Sequence, residues 1–191
     1  MELFSQFKIF KDNWKLIRNE ALSVGYEKYG KHPQCDLKTY RELNTGENLG
    51  IVLCAGTEVL ENNIKLFPKT WEMYESLDLP SKQSIGFSYL TPDSAINPHN
   101  DPEDCYRYHL CLQSENNKSN IFGTLSRDTK SDLYINDGEA VILEPCAITH
   151  RGINESKTIK RLHLVIDFLD GYENKSAAVY QSLNNKQGWE N

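Results

Sequence analysis

The chain has 191 residues, 39% hydrophobic and 25% charged, with a formal net charge of -6. That length allows one core rather than two, in a domain of ordinary soluble composition. The acidic balance, with no cluster of Lys and Arg, excludes a generic nucleic-acid binder, because phosphate recognition needs a basic surface. Met1 to Phe10 carries Glu2 and Lys8 and does not read as a signal peptide. No apolar run is long enough to cross a bilayer. A cytoplasmic protein with no membrane partner is expected. The five cysteines (Cys35, Cys54, Cys105, Cys111 and Cys146) are odd in number and lack CxxC spacing. This points away from structural zinc and from a disulfide framework. Cys111 and Cys146 lie in apolar, strand-like runs, as small buried hydrophobes do.

In chain order, FKIFKDNWKLIRNEALSVG opens with Phe10, Trp14, Ile17 and Ala21 at helical spacing and Gly25 as a stop. This is one amphipathic helix packed on a core. Tyr26 to Gly50 is polar and irregular, a covering loop in which His32 is solvated. IVLCAG is too short to assign to strand or helix by periodicity. Glu58 to Leu79 is a second helical region, with Pro68 at a helix start, Trp71, Tyr74 and Leu77 as its stripe, and Pro80 ending it. From Ile85 the texture changes to strands: IGFSYL, YRYHLCL, NIFGTLS, DLYI, EAVILE and KRLHLVIDFL. Asn136-Asp137-Gly138 is a turn between two of them. Short strands at this spacing predict a mainly β, cupin-like jelly roll with flanking helices. One domain spans 1–191, with helical support to about 80, a core from about 85 to 170, and a polar tail.

The chemistry concentrates in Gly86 to Gln113, GFSYLTPDSAINPHNDPEDCYRYHLCLQ. Residues two apart in an extended segment share a face, so His99 and Asp101 can point into one cavity. A lone HxD says little; a turn histidine beside an Asp that caps its loop looks the same. EAVILEPCAITHRGIN then supplies His150 after an apolar strand. Two histidines and a carboxylate from separate strands make the set that holds non-heme Fe(II) on one face and leaves positions open. The co-substrate of such iron is a 2-oxo acid, whose far carboxylate needs a fixed cation. Arg161 begins the next strand, and a guanidinium matches a carboxylate in a planar, two-bonded way. Alternation with Leu162, Leu164 and Ile166 places Arg161, His163 and Val165 on the other face. His163 reads as structural.

These blocks in order, FS-Y-L-TPDSAINPHND, YRYHLCL, DGEAVILEPCAITHRGIN and KRLHLVIDF, resemble the aspartyl/asparaginyl β-hydroxylase family over roughly residues 67 to 169. The WKLIRNEAL and FPKTWEMYESL segments are also similar to what precedes the core in bacterial members. The resemblance implies a double-stranded β-helix and an Fe(II)- and 2-oxoglutarate-dependent oxygenase that uses O2. It implies His99 and His150 as iron ligands, and Ser88 with Arg161 on the distal carboxylate of 2-oxoglutarate. Arg107 and His109 match the family's RxH, which contacts the metal-bound end of the co-substrate or the substrate carboxylate. The spacings from His99 to Arg107 and from His150 to Arg161 each differ by one residue from the animal aspartyl hydroxylases. Those enzymes also have glycine where this chain has Asp101, so the retained carboxylate resembles bacterial amino-acid-modifying members, including cis-proline hydroxylases. It argues against halogenation, which needs that position empty. The implied reaction hydroxylates an amino acid, or an Asp, Asn or Pro residue in a peptide, as 2-oxoglutarate becomes succinate. The alternative is a cupin-like metal-binding module without oxygenase activity. The acidic loop from Asp101 to Asp104 and the polar segment before Gly50 are candidate substrate entrances.

Overall fold

The computed structural model describes residues 3–25, 28–31, 47–79, 81–101, 105–126, 129–169 and 179–182. The expectations for His32, Cys35, Pro80, the acidic loop beyond Asp101, most of the polar segment before Gly50 and most of the tail fall outside them.

The helices stand at the N-terminal side: α1 (Leu3–Gln6), α2 (Lys8–Asp12), α3 (Trp14–Ser23), α4 (Glu61–Ile64) and α5 (Pro68–Glu75). The long helix expected over Phe7–Gly25 is thus divided. At the second break the Asn13 side chain donates to the Ile9 carbonyl (2.8 Å), the local competition that short polar side chains offer a helix. The second helical region is shorter than expected. Gly56, at φ +58, turns the chain so that Glu58–Val59 pairs back on the preceding strand. Pro68 does occupy the first turn of α5. The Glu20 carboxylate of α3 caps that helix, accepting from the Lys69 and Thr70 amides (2.7 and 2.9 Å).

The strands are β1 (Gly30–Lys31), β2 (Asn48–Ala55), β3 (Glu58–Val59), β4 (Ser81–Leu90), β5 (Ser94–His99), β6 (Tyr106–Gln113), β7 (Ser119–Ser126), β8 (Thr129–Tyr134), β9 (Ala140–Leu143), β10 (Thr149–Asn154), β11 (Arg161–Leu169) and β12 (Val179–Ser182). IVLCAG therefore lies in a strand. The large sheet runs β1-β2-β4-β11-β6-β9-β12, with β3 beside β2; the small one runs β5-β10-β7-β8. All pairings are antiparallel, and within β4–β11 the chain doubles on itself, β4 with β11, β5 with β10, β6 with β9 and β7 with β8. One long hairpin wound into two sheets is a double-stranded β-helix, as expected from the strand spacing. The turn at Asn136–Gly138, with Gly138 at φ +78, carries the chain from the small sheet to the large one and does not close a hairpin.

Alternation sorts the large sheet. Tyr106, Tyr108, Leu110 and Leu112 of β6, with Leu162, Leu164, Ile166 and Phe168 of β11, join the helices in the main core. There Phe7 stacks on Tyr108, with ring centroids 4.5 Å apart. A smaller cluster, Cys111, Ile121, Ile135, Val141, Leu143 and Ile148, fills one end of the space between the sheets. Cys111 is buried as expected, whereas Cys146 is half-buried in the turn after β9 and not in a strand.

Tyr108 is fully buried and its hydroxyl has no hydrogen-bond partner among the described residues. An unpaired buried hydroxyl costs about 1–3 kcal/mol. Tyr108→Phe is accordingly expected to raise stability by roughly 1 kcal/mol, read as a higher melting temperature. A lower one would show that the hydroxyl has a partner in the native protein.

Candidate active site

The rest of the inter-sheet space is a cavity of about 150 Å³, lined by Ser88 of β4, His99 of β5, Arg107 and His109 of β6, His150 of β10 and Arg161 of β11, among others. Asp101 lies in the loop that follows β5. Sites for drug-sized ligands run about 300–1,000 Å³, so this one suits a smaller molecule. Gly50, Ile51 and Val52 of β2 form part of its wall. The N-terminal region thus contributes a surface to the site, although no candidate catalytic residue came from it.

His99, Asp101 and His150 each place one ligand atom within 4.8 Å of the other two. The two histidines occupy directly paired positions of β5 and β10, and their ring centroids are 4.4 Å apart. The register slips between His150 and Gly152 opposite Asn97-Pro98; proline lacks the N–H that regular pairing needs, and such bulges re-aim side chains. His150 Nδ1 lies 3.1 Å from the Ile148 carbonyl, a contact that favours a proton on Nδ1 and leaves Nε2 its lone pair. Burial would raise the Asp101 carboxyl, but the hydrogen bond with His99 and the charge of Arg107 prevail and bring it down to about 2. An ionised carboxylate and two imidazoles at these separations are a donor set that fits Fe(II).

Arg107 donates from Nη1 to Asp101, and its other edge grips Asp167, with Nε to Oδ1 at 2.6 Å and Nη2 to Oδ2 at 3.0 Å. Neither partner was anticipated from the sequence, which pointed Arg107 at the co-substrate or substrate carboxylate. His109 lies beside His163 with ring centroids 5.8 Å apart. Ser88 pairs across the sheet with His163.

Arg161 is 3% exposed. Its Nε and Nη2 lie 3.0 and 2.9 Å from the two ring nitrogens of His163, whose Nε2 is also 2.9 Å from the Ser119 hydroxyl. A guanidinium only donates and a neutral imidazole accepts at a single nitrogen, so one of these two contacts is the hydrogen bond, and His163 is neutral. Burial first, then the charge of Arg161, holds that ring well below the ordinary histidine value. Arg161 Nη1 has no hydrogen-bond partner, and no carboxylate pairs with Arg161 among the described residues. Burial without an anion lowers Arg161 from 12.5 to about 10. Nη1 sits over Gly152, where an added Cβ would approach it to 2.6 Å. His163, read as structural, therefore belongs to this site. The alternation Arg161-His163-Val165-Asp167 was the signal for both it and Asp167.

The acid response follows from these rings. Burial holds His109 and His163 well below 6.5 and His150 at about 4. Below about pH 6.5 the unfolded chain takes up protons that the native state refuses, so native stability falls as pH falls. The melting temperature of the metal-free protein should drop steadily from pH 7 to pH 4. A flat profile would contradict three buried neutral histidines.

The sequence matches the family described as Aspartyl/Asparaginyl beta-hydroxylase over residues 11–170. The chain belongs to this family. Its members are 2-oxoglutarate- and Fe(II)-dependent oxygenases, in keeping with the donor set above. No curated protein matches the chain. Among solved structures it is similar to a prolyl-4-hydroxylase from Pseudomonas putida, at 11% identity and a TM-score of 0.53, covering 84% of this chain and 88% of that one. It is also similar to a prolyl hydroxylase from Trichoplax adhaerens, solved with a hypoxia inducible factor peptide fragment. There identity is 8%, the TM-score 0.54, and coverage 82% of this chain and 78% of that one. At such identities the likeness establishes the jelly-roll fold that an aspartyl/asparaginyl β-hydroxylase family member is expected to have.

Proposed function

We propose that the protein is an Fe(II)- and 2-oxoglutarate-dependent hydroxylase acting on an amino acid, or on an Asp, Asn or Pro residue of a cytosolic peptide. The observation that carries this reading is Arg161, a buried guanidinium with an open Nη1 lining the same small cavity as the His-Asp-His set. A bare metal-binding cupin module has no use for such a cation, and burying it with no carboxylate partner among the described residues is costly. His99, Asp101 and His150 would hold the iron. With 2-oxoglutarate, that metal supplies oxidative decarboxylation to succinate coupled to hydroxylation of a C–H bond. Arg161, oriented by His163 and with Ser88 beside it, binds the far carboxylate of the co-substrate. His109 and Arg107 line the space between that carboxylate and the metal ligands. Ile51, Phe87, Ile96 and Ile121 supply its apolar walls.

Anaerobic addition of Fe(II) and 2-oxoglutarate to the apoprotein tests the reading. A weak visible charge-transfer band should appear, and it should be lost in His99→Ala. A folded protein that binds the metal and shows no band would favour the non-oxygenase cupin module. Succinate release with candidate amino acids and peptides then distinguishes the substrates.

A further inference from the structure

We infer that Asp167 is a positioning residue of the metal site, acting through Arg107 on Asp101; this rests on the oxygenase reading above. Asp167 stands on β11 in the same inward row as Arg161 and His163, and lines the cavity. It is paired in register with Arg107 on one side and Ser84 on the other. Both neighbours hold it: Arg107 through Nε and Nη2, and the Ser84 hydroxyl by donating to Oδ2 at 2.9 Å. One two-donor edge of the guanidinium, Nε with Nη2, is thereby committed to Asp167. Asp101 is met from the other end, by Nη1, which donates to Oδ2. The other oxygen, Oδ1, lies 3.2 Å from His99 Nε2, on the histidine side.

The consequence is electrostatic and geometric. One cation is shared between two carboxylates, both with largely buried side chains. Without Asp167 the whole charge and both arms of the fork fall to Asp101, and a bidentate Arg–carboxylate pair competes with a metal for the same oxygens. Asp167 holds Arg107 in the orientation that engages Oδ2, with Oδ1 on the histidine side where the metal would bind. Asp167 is not among the residues whose ligand atoms converge, so it acts at one remove. Outer partners of this kind orient the ligand and tune its basicity.

Co(II) is the probe, because it binds such sites and reports its geometry in visible bands. Wild type should bind Co(II) and His150→Ala should not; failure of wild type to bind overturns the site reading and this inference with it. Given wild-type binding, Asp167→Asn keeps the size and loses the charge. Its Co(II) affinity should fall about 10- to 100-fold, the usual loss for an outer partner, with altered bands at saturation and unchanged circular dichroism. In an Arg107→Gln background the same substitution should cause no further loss, because its route is gone. Wild-type affinity and spectrum in Asp167→Asn, or an equal loss in the Arg107→Gln background, would overturn the inference. Should Asp167→Asn not fold, Ser84→Ala decides, since it releases Asp167 from the other side. Weaker Co(II) binding supports the role, and unchanged affinity refutes it.

Discussion

Replacing Arg161 by methionine is expected to weaken 2-oxoglutarate binding about 30-fold or more while making the ligand-free protein more stable. Methionine keeps the length and apolar stem of the side chain and removes a charge that is buried with no anion beside it among the described residues. The fall of Arg161 from 12.5 to about 10 corresponds to a burial penalty of roughly 3 kcal/mol. Part of that should reappear as a higher melting temperature of the apoprotein. Binding moves the other way. Removing one partner of a buried charge pair costs about 2–5 kcal/mol, which weakens affinity some 30-fold or more. Calorimetric titration of 2-oxoglutarate, with the metal bound in both proteins, reads the loss. Thermal unfolding without ligand reads the gain. An apoprotein destabilised by the substitution would mean that Arg161 is already compensated in the native state.

His150→Ala is the second large effect. His150 sits where β10 is bonded to β5 on one side and β7 on the other, directly opposite His99. Its removal deletes one of three converging ligands and leaves the strand pairing intact, since the ladder is made by the backbone. Metal affinity should fall by more than about 100-fold, beyond the 10–100-fold typical of an outer partner, and the chelate band should vanish with it. Acid tolerance should improve at the same time, because a ring held at about 4 by burial is no longer present to resist protonation. Retained affinity would remove His150 from the ligand set.

The strands that alternate cleanly, such as β6 and β11, were legible because one face meets the helices and the other the cavity. The ligands were expected on separate strands, but the runs that became β5 and β10 were not picked out as strands themselves. SAINPH contains a proline, and THRGIN has a glycine and few apolar residues, because their inner face borders a polar cavity rather than a core. The motif residues were therefore visible while their secondary structure was hidden. Arg161 could be singled out from position and chemistry. Its relation to His163, and that of Arg107 to Asp167, depends on pairings across strands far apart in sequence. No local pattern encodes which side chain meets which. The break at Asn13 and the strand at Glu58–Val59 were missed for a simpler reason: one side chain and one glycine turn overrode a helical periodicity.

The two leaves of the sandwich divide the labour. His99 and His150 belong to the small sheet, with Asp101 on the loop leaving it, whereas Ser88, Arg107, His109, Arg161, His163 and Asp167 all belong to the large one. A dicarboxylate held by Arg161 at one end and by the metal at the other would fasten leaf to leaf, like a rivet through two plates. Among the described side chains of the small sheet, Ile121 and Leu133 join the smaller apolar cluster. Its seating would then depend on cargo as well as on grease, so the loaded protein should resist proteolysis along the edge strand β5 more than the empty one does.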